Sequence, residues 1–307
     1  MQTHGLFDWL LAAAMVCALP AAGADSFRLM VDEATVSVLH QDQAVMRYRY
    51  GGVPFKPYVD QLTTPSGVNI LRDAPEDHLH HHALMYAVKL NGINYWEEKE
   101  APGRELHARW TSVDVRPEAA GFVELVQWKA PAEDTVLAEE TRTITLHRVE
   151  GVDATLLTWA MAMRAAGEPV ELTGAHYHGL GMRFLVSMDA NGRFMNANDD
   201  PGELVQGSQM RTRGRWCVYQ AEADGKPVTV AMFDSPENAQ PVTWFTMTKT
   251  FAYMSATLES DRKPLQLGEL ILKYGVAVWD GHVDREQIEA VYQRWLMLAS
   301  SSVATPH

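Results

Sequence analysis

The 307-residue chain is poor in cysteine, in basic residues and in long apolar runs. Of its two cysteines, Cys17 falls in a leader-like stretch, so the mature chain keeps only Cys217 and cannot form an internal disulfide. The fold must rest on its core. Cys217, flanked by Trp216 and Val218, reads as a buried small hydrophobe rather than a nucleophile. Lys and Arg number 26 against 39 Asp and Glu, a net charge of −13, and the cations form no run. That excludes the basic face a nucleic-acid partner requires. After the leader no apolar run approaches the roughly 20 residues of a membrane-spanning helix. No internal repeat and no Pro- or Ser-rich linker divides the chain, which points to one domain.

The leader is read from Leu10 to Ala22, an apolar run followed by the small-x-small set Ala22-Gly23-Ala24. Its first ten residues carry no Lys or Arg, a departure from the usual basic start. Residues 1–24 are expected to be a signal peptide cut after Ala24, which implies a periplasmic or secreted protein. The mature domain then spans 25–299, with a fraying tail over 300–307.

A hydrophobic content of 47% suits a large core, and its patterning is that of strands. Alternation marks Val36–His40 and Ala44–Tyr50. Further candidates are Phe122–Trp128, Thr141–Arg148, Leu156–Met163, Arg183–Ser187, Cys217–Ala221, Val228–Phe233 and Leu270–Val278. The pairs Asn91-Gly92, Glu150-Gly151, Asn191-Gly192 and Asp224-Gly225 supply the positive-φ positions of tight turns. Strands this close together leave no room for helical crossovers, so the expectation is all-β: a large antiparallel β-sandwich. One helix closes the chain over 284–299. Asp284 and Gln287 form its capping box, and Ile288, Val291, Tyr292, Trp295 and Leu298 form its apolar stripe.

Chemistry concentrates in the histidines. Asp77-His78-Leu79-His80-His81-His82 places four imidazoles and a carboxylate in six residues, behind Arg72-Asp73. If that segment is extended, His78, His80 and His82 share one face and Asp77 and His81 the other. A second set, His176-Tyr177-His178-Gly179, opens a later strand. Imidazole moves protons near neutral pH, and a neighbouring carboxylate fixes its tautomer, so the catalytic candidates are Asp77, His78, His80 and His81. The same side chains suit a borderline divalent cation such as zinc: Asp77 and His78 with His80 or His81, completed by His176 or His178. No cofactor is required, and no residue is assigned to a metal outright. Tyr58, Trp96, Trp110, Trp216, Trp244 and Trp279 stand near turns or strand ends, where rings can stack on sugars. At least half of them are expected to be core.

The ordered motifs Pro57-Tyr58-Val59, Leu62–Gly67, Arg72-Asp73-Ala74-Pro75, Asp77–His81, Asn91-Gly92 and Tyr95-Trp96 resemble the family catalogued as methane-oxygenase PmoA-like. Gly179–Arg183, Arg215–Tyr219, Phe233–Asn238 and Leu267-Gly268-Glu269 continue the resemblance, which runs from about Val36 to Trp295. His82-Ala83 stands where that family usually has Arg-Gly. The resemblance implies a galactose-mutarotase-like supersandwich, and, because genes of that family commonly accompany sugar-catabolic ones, a carbohydrate ligand. Methane oxidation is discounted, since a particulate monooxygenase subunit needs several apolar spans.

The expected function is therefore an exported carbohydrate-active enzyme, a hydrolase, lyase or epimerase, acting on a small sugar or oligosaccharide. Tyr58, Arg72, His82, Trp96, His176, His178, Arg183 and Trp244 are its expected substrate-binding residues. The alternatives are a non-catalytic carbohydrate-binding module and a metal-dependent enzyme at the same place.

Overall fold

A computed structural model describes residues 26–131, 135–189, 191–258 and 263–300. The leader expected over 1–24 and residues 301–307 of the expected tail lie outside the described residues.

The chain forms an antiparallel β-sandwich, as its patterning predicts. Among the described residues one sheet has ten strands, another eight and a smaller one four, and every named pairing is antiparallel. In the larger sheet Gln43–Arg49, Tyr58–Leu62, Leu84–Ala87, Gly179–Arg183, Tyr253–Thr257 and Thr243–Met247 are successive neighbours. The eight-stranded sheet contains the long strands Arg104–Arg116, Ala119–Lys129, Val136–His147, Thr155–Ala165 and Glu269–Asp280. Two of the turn signals close tight hairpins with both residues at positive φ: Asn91-Gly92 at 49° and 78°, and Asp224-Gly225 at 49° and 78°.

Alternation along the paired strands decides what the larger sheet shows to each side. Tyr48, Val59, Leu84, Met182 and Met254 are in register on the inner face and are buried between the sheets. Tyr58, Met85, Gly181, Arg183, Tyr253 and Ser255 therefore lie on the outer face, where the connections around residues 72–83, 95–98, 174–178 and 248–252 cover them.

The terminal helix is observed over Arg285–Ser300, and its capping box is formed: Gln287 N–H donates to Asp284 Oδ1 at 2.9 Å and Asp284 N–H donates to Gln287 Oε1 at 3.0 Å. Ile288, Val291, Tyr292 and Trp295 pack it on the outside of the eight-stranded sheet, against Trp216, Phe233 and Ala277. Gly275 permits this approach, since a Cβ there would stand 2.7 Å from the Trp295 ring. Cys217 is buried, and burial pushes its thiol up to about 12, so it behaves as a hydrophobe.

Two local expectations are corrected. The strand placed at Arg183–Ser187 is Gly179–Arg183, after which Val186–Met188 turns as a short 3₁₀ helix. The glycines of that strand are held close to a neighbouring strand: a Cβ on Gly179 would meet the Ala256 carbonyl oxygen at 2.0 Å. The histidine-rich segment is not extended. His78 N–H donates to Pro75 O and His81 N–H donates to His78 O, each at 2.9 Å, so two consecutive turns replace the alternation.

The interior holds a charge network that anchors the site strand. Arg142, with no exposure, donates to Glu140, to Glu105 Oε2 at 3.0 Å, to Tyr48 OH at 3.1 Å and to Pro57 O at 3.1 Å, next to Tyr58. Tyr48 in turn donates to Glu124. Burial pushes the Glu105 carboxyl up to about 8, against the pull of Arg142. Replacing the cation alone leaves two carboxylates without it in a dry interior. Arg142→Met should destabilise the protein by about 3–5 kcal/mol in urea unfolding; a loss below about 1 kcal/mol would show the network to be dispensable.

Candidate functional site

The two histidine segments meet on the outer face of the larger sheet, with Trp96 between them. The Trp96 ring stacks on His178 with centroids 5.1 Å apart at 13°, and stands edge-on to His81 at 6.3 Å and to Tyr253 at 6.1 Å. It fits because residue 181 is glycine. A Cβ there would lie 1.8 Å from the Tyr253 hydroxyl and 2.7 Å from the Trp96 ring. Trp96 has no exposure and His178 is 2% exposed, so the contact is interior packing rather than a surface stack.

On one side of Trp96 the double turn gathers His78, His80 and His81. His78 and His81 stack at 4.6 Å, His81 stacks on Tyr253 at 5.5 Å, and His80 meets His81 edge-on at 4.7 Å. Burial pushes His80 down to about 4 and His81 down to about 2, with neighbouring imidazoles adding to both. Both rings are neutral near physiological pH. Arg183 lies beside them with its guanidinium carbon 3.5 Å from the centre of the Phe251 ring. Its Nη2 donates to Asp77 Oδ2 at 3.3 Å and lies 4.0 Å from Asp189. Asp77 also lies 3.2 Å from His78 Nδ1. The expected orienting carboxylate therefore acts on His78 and Arg183, not on His80 or His81, because the turn points it outward.

On the other side, Glu97 accepts from Tyr177 OH at 2.6 Å and from Asn94, and lies a loose 3.4 Å from His178 Nε2. Burial raises the Glu97 carboxyl, but the hydrogen bonds from His178 and Tyr177 outweigh it and hold the group well below the usual carboxylate range. Burial keeps His178 neutral, opposed by Glu97. His176 sits farther along, 3.3 Å from Gln209 Oε1 and against Phe245.

His82 leaves the cluster. Its Nδ1 faces Asp73 at 2.9 Å and its Nε2 faces Glu98 at 3.1 Å. Tyr58 stacks on its ring at 4.5 Å and donates to Asp73 Oδ2 at 2.8 Å, while the buried Lys56 reaches Glu98. Both imidazole nitrogens are committed, so His82 and Tyr58 brace the site from behind instead of binding substrate as expected. Trp244 is corrected outright. It pairs with Ala256 on the inner face, is fully buried, and donates through Nε1 to Gly214 O at 2.7 Å. Trp216 and Trp279 are likewise core.

Buried polar atoms with no hydrogen-bond partner group here, at His78 Nδ1, His81 Nδ1, Trp96 Nε1, His178 Nδ1, Tyr253 OH and both Nε and Nη1 of Arg183, though others, such as Glu105 Oε1 and Trp159 Nε1, lie elsewhere in the interior. Native interiors satisfy such groups almost everywhere. No set of three or more His, Cys, Asp or Glu side chains among the described residues is placed to hold a metal ion. Asp77 turns to Arg183 and His178 to Glu97, with the Trp96 indole between the two halves, so the mixed ligand set does not form. The sequence reading missed Glu97, Glu98, Lys56, Phe251 and Tyr253. The acidic pair directly after Trp96 was the available signal for the first two; Tyr253 joins through strand pairing, and Phe251 follows from the connection just before that strand.

The fold and site thus define an antiparallel β-sandwich with a buried histidine-arginine cluster on the outer face of its larger sheet. The chain belongs to the family of unknown function designated DUF6807, whose model matches residues 35–293. That match does not carry the methane-oxygenase name of the resemblance. No curated protein sequence matches the chain. Among solved structures it is similar to the GH36 α-galactosidase AgaA of Geobacillus stearothermophilus, with 11% identity, 83% of this chain and 41% of that one covered, and a TM-score of 0.43. A complex of a variant of that enzyme with 1-deoxygalactonojirimycin gives 11% identity, 83% and 40% coverage, and a TM-score of 0.44. The GalM/aldose epimerase homologue from C. elegans gives 10% identity, 84% and 100% coverage, and a TM-score of 0.36. The chain spans about two-fifths of the length of the α-galactosidase structures. No described helix is long and apolar enough to cross a membrane.

The brace makes stability depend on pH. Burial lowers the His82 pKa, but the hydrogen bonds to Asp73 and Glu98 outweigh it and raise it above the ordinary value. A raised folded-state value means that the imidazolium contribution is full below the unfolded value of about 6.5 and fades as pH rises through the folded value. His82→Gln should be most destabilised relative to the parent near about pH 6, the gap narrowing toward about pH 9, in urea unfolding across that range. A gap that widened with pH would contradict a charged His82.

Proposed function

We propose that the protein is a carbohydrate-active enzyme, exported by the leader read at residues 1–24, and that His78 exchanges protons with a sugar bound over the outer face of the larger sheet. The observation that carries this reading is the concentration of unpartnered buried donors and acceptors around Trp96 and Arg183. Such groups cost about 1–3 kcal/mol each when left unmade; a hydroxyl-rich ligand supplies partners at His78, His81 and Arg183, whereas Trp96 Nε1 and His178 Nδ1 lie within the packing. Asp77 Oδ2 stands 3.2 Å from His78 Nδ1 without a hydrogen bond between them, and the stack on His81 holds the ring, leaving Nε2 for the reacting group. His81 and His80, held neutral, can accept from or donate to hydroxyls without adding charge. Arg183 provides fixed positive charge where an oxyanion develops. Hydrolysis, elimination and epimerisation all fit a proton-transfer group beside a fixed cation, and the ligand class is a small sugar or oligosaccharide. Among the described residues no three metal-ligating side chains are gathered for the metal-dependent alternative, and the steps written here use the chain's own residues.

His78 is the suitable variant, since its side chain is 38% exposed. His81 is not, because its buried ring supports Tyr253 and His78. Purified mature protein should be incubated with a panel of mono- and oligosaccharides, neutral and acidic, and followed by proton NMR. One substrate class should turn over, and His78→Ala should lower its rate by about 10²-fold or more with the melting temperature nearly unchanged. Sugar binding without turnover in the parent would leave a binding module, and unchanged turnover in His78→Ala would remove His78 from the mechanism.

A further inference from the structure

Arg183 is not the only cation at this end of the site. Leu71 and Phe184 form an isolated bridge, and Arg72 N–H donates to Arg183 O at 3.1 Å, so the chain brings the two arginines side by side. Arg72 is half-buried, and the two guanidinium charges oppose each other. The Arg183 side chain is 1% exposed, yet Nε and Nη1 have no partner, and its nearest acceptor is a 43% exposed aspartate at 3.3 Å. In a chain with 13 excess negative charges, two adjacent arginines, one of them buried and under-used, are unusual. Buried cations are otherwise paired with carboxylates at close range, as Arg142 is here with Glu140 Oε1 at 2.6 Å.

We propose that Arg72 and Arg183 together bind the carboxylate of a sugar acid of the uronate or aldonate class, which takes the place Asp77 loosely holds on Arg183. Asp77 marks the approach, since it is the exposed carboxylate already in contact with the buried guanidinium. His78, 3.2 Å from Asp77 and stacked on His81, then stands beside the carboxylate-bearing end of the ligand, and the Phe251 ring closes over the arginine. This inference rests on the carbohydrate reading above and narrows its substrate class. Asp77 and Asp189 offset part of this charge, but neither reaches Nε or Nη1 of Arg183, which a ligand carboxylate can meet while also facing Arg72.

The test is calorimetric titration of the mature protein with D-glucuronate and D-galacturonate, with D-glucose and D-galactose as the neutral counterparts and acetate as the bare carboxylate. At least one uronate should bind 10-fold or more tighter than its neutral counterpart and than acetate. Arg72→Gln, at a half-buried position, should weaken uronate binding about 10-fold and neutral-sugar binding by a much smaller factor, whereas Asp77→Ala should tighten uronate binding by removing the internal competitor. Arg183→Lys keeps the charge and loses the fork, and should weaken uronates while retaining the fold by circular dichroism. Neutral sugars binding as tightly as uronates, with Arg72→Gln without effect, would overturn the acid preference and leave the carbohydrate reading standing. Uronates binding no better than acetate would also overturn it, as anion capture alone. No binding by any sugar would bring down both.

Discussion

The site depends on one packing constraint: the Trp96 indole lies against a strand whose residue 181 has no side chain. Every other group near the site takes its place relative to that ring. Trp96 stacks on His178 on one side and borders His81 and Tyr253 on the other, so a single buried aromatic sets the spacing of two segments about a hundred residues apart. The residues that follow extend the effect. Glu97 reaches the Tyr177-His178 side and Glu98 the His82-Lys56 side, so three consecutive residues fasten both halves. Glu98 adopts φ 53° to do this, a conformation non-glycine residues rarely take, and such strain persists where surrounding contacts over-determine it.

Around this ring the protein sorts its charges by how completely they are paired. Arg142 in the interior meets two carboxylates, a phenol oxygen and a carbonyl, and His82 meets two carboxylates; both are braces. Arg183 is as buried as Arg142 but uses only one nitrogen. The imidazoles next to it do not share the load: they stack on one another and on Tyr253, and Nε and Nη1 of the guanidinium stay without a partner. Desolvation then keeps His80 and His81 uncharged, which is the cheaper arrangement beside a permanent cation.

The sandwich was legible because strand alternation and hairpin chemistry are local signals. The capping box at Asp284, the helix stripe and the two Asn-Gly and Asp-Gly turns are settled by residues a few positions apart. The gathering of the two histidine segments was legible as a likelihood of composition, since so many imidazoles in six residues call for a role. Their arrangement was not. Whether His82 stays with His81 depends on Glu98, and whether Asp77 serves His81 or Arg183 depends on two backbone hydrogen bonds that turn the segment. Trp244 was misplaced because inner and outer faces of a strand with buried residues on both sides look alike: Thr243–Met247 is buried at all five positions. Tyr253 reaches the site through pairing with Gly179–Arg183, a register no local pattern encodes, and Phe251 follows from the connection just before that strand.

Stability and function make opposite demands on these groups, and that difference carries the functional reading. A buried guanidinium kept for stability would be paired as Arg142 is, since each unmet donor in a dry interior lowers the folded state's advantage. The unpartnered atoms at His81, Trp96, His178 and Arg183 fall together, around one ring, beside the one exposed carboxylate that touches the buried arginine. Glycine at 181 and the brace at His82 then hold in place groups whose hydrogen bonds the chain itself leaves unmade. An arrangement that fixes donors rigidly without satisfying them is what preorganisation for a polar ligand requires, because the ligand then gains the bonds without the protein reorganising.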